Sequence, residues 1–515
     1  MRPLQKTTLM QWEQVRRLTR REFLKCIGGT IALPVVSGSL LAACRPTTSN
    51  LAPDPPPAAT PITSREVKLT AAVTPVDLGT GEFKAWTYNG LPVGPEIRVT
   101  EGEILRVALT NNLPEPTTIH WHGVPVPNAM DGVPDMPLPP IQPGETFTYE
   151  FMAGPSGTYW YHPHIGYQFD QGLVGPLIIE PKQAQGAYDR EYTLVLDDWV
   201  TVDGGGPAAT ERQAGTMMGG MMNQDQAQGN GDMGGQGMMG HAQTDGDNSP
   251  LTEPIYQAFT VNGQVADAAS PFTVKQGEKV RLRLINAAAA TTFGLRLAGH
   301  SLTLTHSDGR PVAPLEVDVL RIGMGERYDV MFTAANPGRW SLYAIIADVV
   351  ESVELATFLY QGVTASQNER DELSQNLRWN DYGLLKGLPE DSLPPLGSTP
   401  PDQTFDLVLS GGMMSPAWTI NGKIFPDTDD LLVALGQRVR LNYLNHSPMP
   451  HPMHVHGHFF EIVGSPGLRK DTALVEAHMG QLSIEFIADN PGDWMHHCHH
   501  LYHMEAGMMH VVRIA

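Results

Sequence analysis

The sequence predicts an all-β protein built from three antiparallel β-sandwich domains. Glycine and proline are abundant, with 52 and 43 among 515 residues, and this composition favours short strands and turns over long helices. Short segments in which polar and apolar residues alternate recur at domain spacing, between glycine and proline turns. These observations place the three sandwiches near residues 66–182, 190–363 and 402–515.

Each predicted domain contains the same series of turn and strand signals. An apolar or aromatic residue followed by Asn-Gly opens the series, a glycine turn then precedes an alternating strand, and that strand ends at an asparagine. The corresponding residues in the three copies are Asn89-Gly90, Asn262-Gly263 and Asn421-Gly422; Gly102, Gly277 and Gly436; Asn111, Asn286 and Asn445. The repetition predicts three copies of one β unit.

Composition and charge exclude several classes of protein. The chain has 34 Lys and Arg against 55 Asp and Glu, a net charge of −21, whereas nucleic-acid-binding proteins carry basic patches. We therefore expect no nucleic-acid partner. A hydrophobic content of 41% with only 17% charged residues excludes a disordered chain or a coiled coil. Three cysteines are too few for a disulfide framework.

The N-terminus has the features of an export signal. A twin-arginine pair, Arg20-Arg21, precedes an apolar stretch that ends at Cys44 in a lipobox-like Leu-Ala-Ala-Cys sequence. We expect residues 1–43 to be a signal peptide, Cys44 to be lipidated and residues 44–65 to form a tether. An ordinary cleaved signal with a coincidental cysteine is the alternative. The prediction is a monomer exported by the twin-arginine route and anchored by lipid to the cell membrane, facing the periplasm or cell exterior.

Four His-x-His motifs carry metal-binding chemistry. Alternate residues of a strand point to one face, so each motif presents two imidazoles to the same side. Two motifs lie in the first domain and two at matching positions of the third, and they can converge where these domains meet. The pairs are His120/His122, His162/His164, His454/His456 and His497/His499. Eight imidazoles are too many for one ion and suit a cluster of about three.

A second donor set surrounds Cys498. Two imidazoles and a thiolate with a weak thioether ligand form an electron-transfer copper site. His451, Cys498, His503 and Met508 supply this set. Because Cys498 lies between His497 and His499, one covalent path joins this site to the cluster. The matching stretches of the second domain contain no histidine, so that domain is expected to hold no copper.

The remaining histidines are interpreted as structural or solvent-facing. They are His241, His300, His306, His446, His458, His478, His496, His500 and His510.

Together the motifs resemble those of three-domain bacterial multicopper oxidases of the laccase-like, copper-tolerance type, nearest to lipidated mycobacterial members. The resemblance covers nearly all of residues 65–515 and implies cupredoxin-like Greek-key sandwiches with four copper ions. It implies a type 1 copper at His451, Cys498, His503 and Met508, a type 2 copper at His120 and His454, and a type 3 pair at His122, His162, His164, His456, His497 and His499. In this family single electrons enter at the type 1 site and the trinuclear cluster reduces dioxygen to water.

Reduction of dioxygen consumes protons, so acids are expected near the cluster. Asp131, eleven residues after His120, matches a carboxylate of the family, although a turn aspartate before glycine is the alternative interpretation. The family often has an acid directly after the second type 1 histidine. Here Met504 occupies that position and Glu505 follows, so proton transfer by Glu505 is a hypothesis.

A methionine-rich insertion at residues 215–241 indicates the substrate. It contains Met217, Met218, Met221, Met222, Met233, Met238 and Met239. Thioether sulfur selects Cu(I), so the insertion is predicted to collect cuprous ions, with an inert linker as the alternative. The leading function is oxidation of Cu(I), and also of Fe(II) or phenols, for copper tolerance.

Two other functions are considered. A laccase oxidising phenols needs only access to His451 or His503. A copper-sequestering lipoprotein without turnover needs no oxygen-reducing cluster, and the complete set of eight histidines counts against it.

Overall fold

The computed structural model describes residues 63–183, 186–201, 254–346, 352–364, 377–389, 396, 400–412 and 415–515. The predicted signal peptide, Cys44 and the methionine-rich insertion with its seven methionines lie outside the described residues. The described chain forms six β-sheets, which confirms the all-β prediction. Among these residues, no helix has the length and apolar character needed to cross a membrane.

The first sandwich has two four-stranded sheets. Their strands are β1 (Ser64–Asp77), β2 (Glu82–Tyr88), β3 (Ile97–Thr100), β4 (Ile104–Asn112), β5 (His120–His122), β6 (Thr146–Met152), β7 (Gly157–His162) and β8 (Gly175–Glu180). The strand orders are β2-β1-β4-β6 and β3-β8-β7-β5. Val107 of β4 and Leu177 of β8 belong to one buried apolar cluster, so both sheets face a common core. A 3₁₀ turn, Asn128–Met130, lies between β5 and β6.

The second sandwich has a six-stranded and a five-stranded sheet. Its strands are β9 (Arg190–Trp199), β10 (Ala258–Val261), β11 (Phe272–Val274), β12 (Lys279–Asn286), β13 (Phe293–Leu297), β14 (Leu302–Ser307), β15 (Arg310–Val317), β16 (Leu320–Ile322), β17 (Arg327–Thr333), β18 (Arg339–Ile346) and β19 (Ser352–Tyr360). The orders are β10-β9-β12-β17-β14-β15 and β11-β19-β18-β13-β16. A second 3₁₀ turn, Tyr382–Leu384, follows this sandwich.

The third sandwich repeats the arrangement of the second. Its strands are β20 (Gln403–Gly412), β21 (Ser415–Ile420), β22 (Leu431–Val433), β23 (Arg438–Asn445), β24 (His451–Val455), β25 (Phe460–Ile462), β26 (Arg469–Lys470), β27 (Thr472–Val475), β28 (Gly480–Ile487), β29 (Gly492–Cys498) and β30 (Met509–Ile514). The orders are β21-β20-β23-β28-β25-β26 and β22-β30-β29-β24-β27. A short helix, α1 (Leu501–Glu505), joins β29 to β30.

The sheets are mixed rather than purely antiparallel, which differs from the simplest sequence prediction. Each described sheet contains one parallel pair, and these pairs are β1·β4, β3·β8, β9·β12, β11·β19, β20·β23 and β22·β30. Between β1 and β4 the chain crosses to the opposite sheet, where it forms β3. This crossing brings the chain back in its original direction, which a tight hairpin cannot do.

The Asn-Gly signals form the same turn in all three sandwiches. The asparagines have φ values of 57°, 53° and 53°, and the following glycines have 76°, 75° and 76°. Positive φ at both central residues is the geometry that two-residue hairpins prefer, and Asn-Gly adopts it at low cost. The side chain of Asn89 also accepts the Thr70 N–H, and Asn262 and Asn421 make the equivalent bonds.

The strand-ending asparagines hold the loops that follow them. The Asn111 amide donates to the carbonyls of Glu115 and Ile141, and its oxygen accepts the Leu113 N–H at 2.9 Å. Asn286 and Asn445 make corresponding bonds. In the first and third sandwiches these loops lead into β5 and β24, which carry histidine pairs, so the repeated fold positions the candidate site.

We expect Asn111→Ala to lower the free energy of unfolding of the metal-free protein by about 1–3 kcal/mol, because it leaves buried backbone groups without partners. Guanidinium titration measures this change. Asn112→Ala is the matched control, since Asn112 is the exposed neighbour on the same strand. Equal effects of the two substitutions would contradict the assigned role of Asn111.

Candidate metal centre

The cysteine site is assembled from three elements of the third sandwich. His451 begins β24, Cys498 ends β29, and His503 lies on α1. The Cys498 Sγ lies 3.4 Å from His451 Nδ1 and 3.7 Å from His503 Nδ1, and the two nitrogens are 3.1 Å apart. Met508 is fully buried, and its carbonyl accepts the Cys498 N–H. The structure therefore brings the two predicted imidazoles and the thiol together, with the Met508 backbone beside Cys498.

Neighbouring groups orient both histidines of this site. The Nε2 of His451 lies 2.7 Å from the Ser447 hydroxyl, which leaves Nδ1 directed at Cys498. The His503 ring lies between two others, with centroid distances of 3.7 Å to both His500 and Trp418. His500, interpreted from sequence as structural or solvent-facing, is thus a buried packing partner of a candidate ligand.

Direct access to the cysteine site is blocked. His451 and His503 have only 0% and 1% of their surface exposed, although the sequence interpretation of phenol oxidation assumed access to one of them. Trp418 contacts both rings and is itself partly exposed. A reductant approaching from this side meets the indole before either imidazole.

The eight cluster histidines converge from the first and third sandwiches. Pairing of β5 with β7 sets His120 opposite His162, and pairing of β24 with β29 sets His454 opposite His497. The Nε2 atoms of His120 and His454 are 3.4 Å apart. The Nε2 of His497 lies 3.0 Å from that of His456 and 3.4 Å from that of His164. Seven of the eight rings are buried, and His164 is partly buried.

Hydrogen bonds decide which ring nitrogen most of these histidines present to the cluster. The Nδ1 atoms of His120, His162, His454 and His497 lie 2.8–2.9 Å from the carbonyl oxygens of Asp131, Pro163, Asp471 and Cys498. A carbonyl oxygen only accepts, so Nδ1 carries the proton and Nε2 keeps its lone pair. Such outer contacts are typical of histidines that bind metals.

His122 has the opposite orientation. Its Nε2 lies 3.2 Å from Asp471 Oδ1 and 3.0 Å from Thr472 Oγ1, while its Nδ1 has no hydrogen-bond partner in the described chain. His162 Nε2 and both ring nitrogens of His499 also lack partners there. Buried polar atoms are rarely left unpaired, and imidazole nitrogens together with a His₂Cys set suit copper. The residues present therefore fit the copper ions that the family resemblance implies.

Burial keeps several of the candidate histidines neutral. Desolvation and neighbouring imidazoles lower the pKa of His454, His456 and His499 well below the ordinary value. Desolvation also lowers the pKa of His497 to about 4. Burial raises the pKa of Cys498, so its thiolate requires a nearby cation. At neutral pH the imidazoles thus have lone pairs ready for metal binding.

The two predicted acids occupy different places. Asp131 is buried, and its Oδ2 accepts the Nδ1–H of His456 at 2.8 Å, so this carboxylate contacts the cluster histidines directly. Glu505 lies at the end of α1, and within the described residues its carboxylate has no hydrogen bond or ion pair. Burial raises the pKa of Glu505 to about 7. The structure therefore places Asp131 at the cluster and Glu505 outside hydrogen-bonding reach of its histidines.

Sequence reasoning missed the carboxylate next to His122. Asp471 and His122 are separated by 349 positions, and Asp471 belongs to no recognisable motif. Its partner Arg327 comes from the second sandwich, whose described residues form no candidate metal group. Among the other histidines, His496 lies 2.7 Å from the Tyr443 hydroxyl and 2.5 Å from His510, so these two are internally paired. His241 lies outside the described residues.

Comparison with known proteins identifies the family. Three sequence profiles described as multicopper oxidase match residues 71–184, 190–363 and 398–515. The chain is 38% identical to the multicopper oxidase MmcO of Mycobacterium tuberculosis, with 96% of each chain covered. It is 28% identical to copper resistance protein A of Pseudomonas syringae pv. tomato, covering 97% of this chain and 99% of that protein.

A solved structure shows the same architecture. The multi-copper oxidase from Pseudomonas thermotolerans superimposes with a TM-score of 0.66 at 27% identity, over 88% of this chain and 100% of that one. The prediction of cupredoxin-like sandwiches is confirmed by this likeness.

We expect the metal-free protein to lose stability as the pH falls from 7 to 5. Unfolded imidazoles take up protons below about pH 6.5, whereas the folded state holds the pKa of His497 near 4. The unfolded state then binds more protons, and His497 alone lowers the free energy of unfolding by about 2 kcal/mol at pH 5. Thermal unfolding at several pH values measures the effect. Little change is expected between pH 7 and 8, and a flat profile down to pH 5 would contradict the prediction.

Proposed function

The chain belongs to the multicopper oxidase family, and we propose that it oxidises Cu(I) with dioxygen as part of copper tolerance. We propose four copper ions, with one at the cysteine site and three at the histidine cluster. When bound, these ions would take single electrons from the reductant and transfer four to dioxygen, which takes up four protons to form two waters. Fe(II) and phenols are further reductants compatible with this chemistry.

The observation that carries the proposal is the covalent connection between two buried donor sets. Cys498 faces the His451 and His503 side of β29, while its neighbours His497 and His499 belong to the cluster. Electron transfer through this connection needs no substrate to reach the cluster. An electron carrier without turnover would have no use for the eight converging imidazoles.

The chain's own residues hold the cluster and supply it with proton acceptors. Asp131 orients His456 through its carboxylate and His120 through its carbonyl. Its position within the cluster suits it to pass protons toward the site where dioxygen is reduced. The buried walls exclude bulk water, and His164 is the histidine of the cluster that lies nearest to solvent by exposure.

Methionines beside the cysteine site support Cu(I) as the substrate. The backbone of Met449 exchanges hydrogen bonds with the hydroxyl of Ser447, the residue that contacts His451. Met479 is 59% exposed, and its N–H donates to the Asn445 carbonyl in the same loop region. Thioethers favour Cu(I) over harder ions. The methionine-rich insertion at 215–241 would add seven further thioether ligands, and a copper resistance protein is among the relatives.

The proposed cellular setting follows from the N-terminal sequence. The twin-arginine motif and Cys44 support export and lipid anchoring at the cell membrane, with a monomer facing the periplasm or exterior. This setting would place the oxidase where cuprous ions are met outside the cytoplasm.

The deciding experiment is oxygen uptake by the copper-loaded protein with Cu(I) or a phenol as reductant. We expect faster uptake with Cu(I), and deletion of residues 215–241 should remove most of that preference because it removes seven soft ligands. Cys498→Ser is the control and should abolish both blue colour and uptake. Preference for the phenol, unchanged by the deletion, would identify a laccase instead.

Trp418 should restrict phenols more than cuprous ions, because its indole covers both histidines of the cysteine site. We expect Trp418→Ala to raise kcat/KM for a bulky phenol on the order of tenfold relative to that for Cu(I). Steady-state oxygen uptake with both reductants measures this ratio. Trp379→Ala, at an exposed tryptophan of the second sandwich region, is the control. An unchanged ratio in Trp418→Ala would show that the indole does not limit access.

A further inference from the structure

We propose that the second sandwich, which supplies no ligand among its described residues, holds His122 in its metal-binding orientation through Arg327 and Asp471. The inference rests on the proposed copper cluster and assigns a positioning role to residues that contact no dioxygen or reductant. It concerns His122, the cluster histidine whose Nδ1 is left for a metal because side chains contact its Nε2.

The contacts of His122 determine its proton position. The Thr472 hydroxyl donates to Asp471 Oδ1 at 2.9 Å, so the Thr472 oxygen is left as an acceptor. Both neighbours of His122 Nε2, this oxygen and the Asp471 carboxylate, therefore accept a hydrogen bond. The proton must lie on Nε2, and Nδ1 keeps the lone pair that a metal requires.

Arg327 fixes Asp471 in place. The guanidinium binds both carboxylate oxygens, at 2.6 and 2.5 Å, in the two-pronged geometry that favours a single orientation. The same group donates to the Thr158 carbonyl at 3.1 Å and to the Gly325 carbonyl at 3.0 Å. Arg327 is fully buried, and its contacts join residues of all three sandwiches behind His122.

Two glycines allow this close approach. A Cβ atom at Gly123 would lie 2.4 Å from Arg327 Nη2 and 2.5 Å from Asp471 Oδ2. A Cβ atom at Gly325 would lie 3.0 Å from ring carbons of His122 and His499. The second sandwich therefore touches the cluster rings by packing as well as through the ion pair.

Three further charged groups support the segment that carries Asp471. Asp308 of the second sandwich accepts the backbone N–H groups of Asp471 and Thr472, each at 3.2 Å. The Lys470 ammonium lies 3.1 Å from Asp308 and 3.0 Å from Glu326. These contacts hold the segment that carries Asp471 against the second sandwich, beside His122.

A contact between sandwiches that only stabilised the fold would also contain a buried ion pair. The test must therefore separate the positioning of His122 from an effect on folding. Breaking a buried pair destabilises a protein, whereas losing an outer partner of a metal-binding histidine typically weakens metal binding 10–100-fold. The cysteine site reports on folding within the same molecule, because its ligands make none of the contacts of Arg327.

The experiment compares copper retention in wild-type and Asp471→Asn full-length protein during titration with a copper chelator. We expect the variant to keep the blue absorption of the Cys498 site but to release cluster copper at roughly 10–100-fold lower chelator concentration. A cupric ion that has lost its magnetically coupled partner should also become visible by electron paramagnetic resonance. Arg321→Gln is the matched control, because Arg321 pairs with the exposed Glu476 across the same two sandwiches.

Arg327→Lys is a second variant. It keeps the positive charge but lacks the guanidinium that binds both carboxylate oxygens of Asp471, and it should show an intermediate loss of cluster copper. Retention equal to wild type in Asp471→Asn would overturn the inference. Loss of blue absorption together with cluster copper in both variants would also overturn it, because the pair would then act only through folding. If the wild-type protein bound no copper, the proposed function itself would be wrong. That outcome is visible before any variant is compared.

Discussion

The structure depends on the hydrogen bonds that fix one ring nitrogen of most buried cluster imidazoles, so that the other nitrogen is left for a metal. Carbonyl oxygens of Asp131, Pro163, Asp471 and Cys498 accept from Nδ1 of four cluster histidines. Without these acceptors a buried imidazole could turn or exchange its proton between nitrogens. The acceptors come from loops and strand ends, so the backbone path of the sandwiches sets the chemistry of the cluster.

The same constraint gives the second sandwich a role, although the candidate ligands among the described residues come from the first and third sandwiches. Strand pairing can aim His120 and His162, or His454 and His497, within one sheet. His122 makes a further contact, because a carboxylate from the third sandwich binds its Nε2. The second sandwich then neutralises and holds that carboxylate through Arg327, which balances a charge that would be costly alone.

Much of the fold could be predicted from local sequence signals, because turns and strand ends are determined by residues that are neighbours in sequence. Asn-Gly turns with positive φ and strand-ending asparagines recur at equal places in each copy, and the family and fold class are confirmed by the comparisons. The parallel strand pairs were missed, since each joins strands separated by a crossing between sheets. The covering of His503 by Trp418 was missed for the same reason, because the two residues lie on different elements.

The sequence by itself determined the donor types, their alternation along strands and the repeated unit that carries them. A β-strand has a period of two, and the conformation of a turn depends on residues that are close together in sequence. Only the tertiary structure decided which ring nitrogen each histidine presents, which acid lies at the cluster and how the cysteine site is shielded. From sequence, Asp131 matched a carboxylate of the family and proton transfer by Glu505 was a hypothesis; in the structure only Asp131 of the two contacts a cluster imidazole. Such outcomes depend on distances between segments hundreds of positions apart, and no local pattern encodes them.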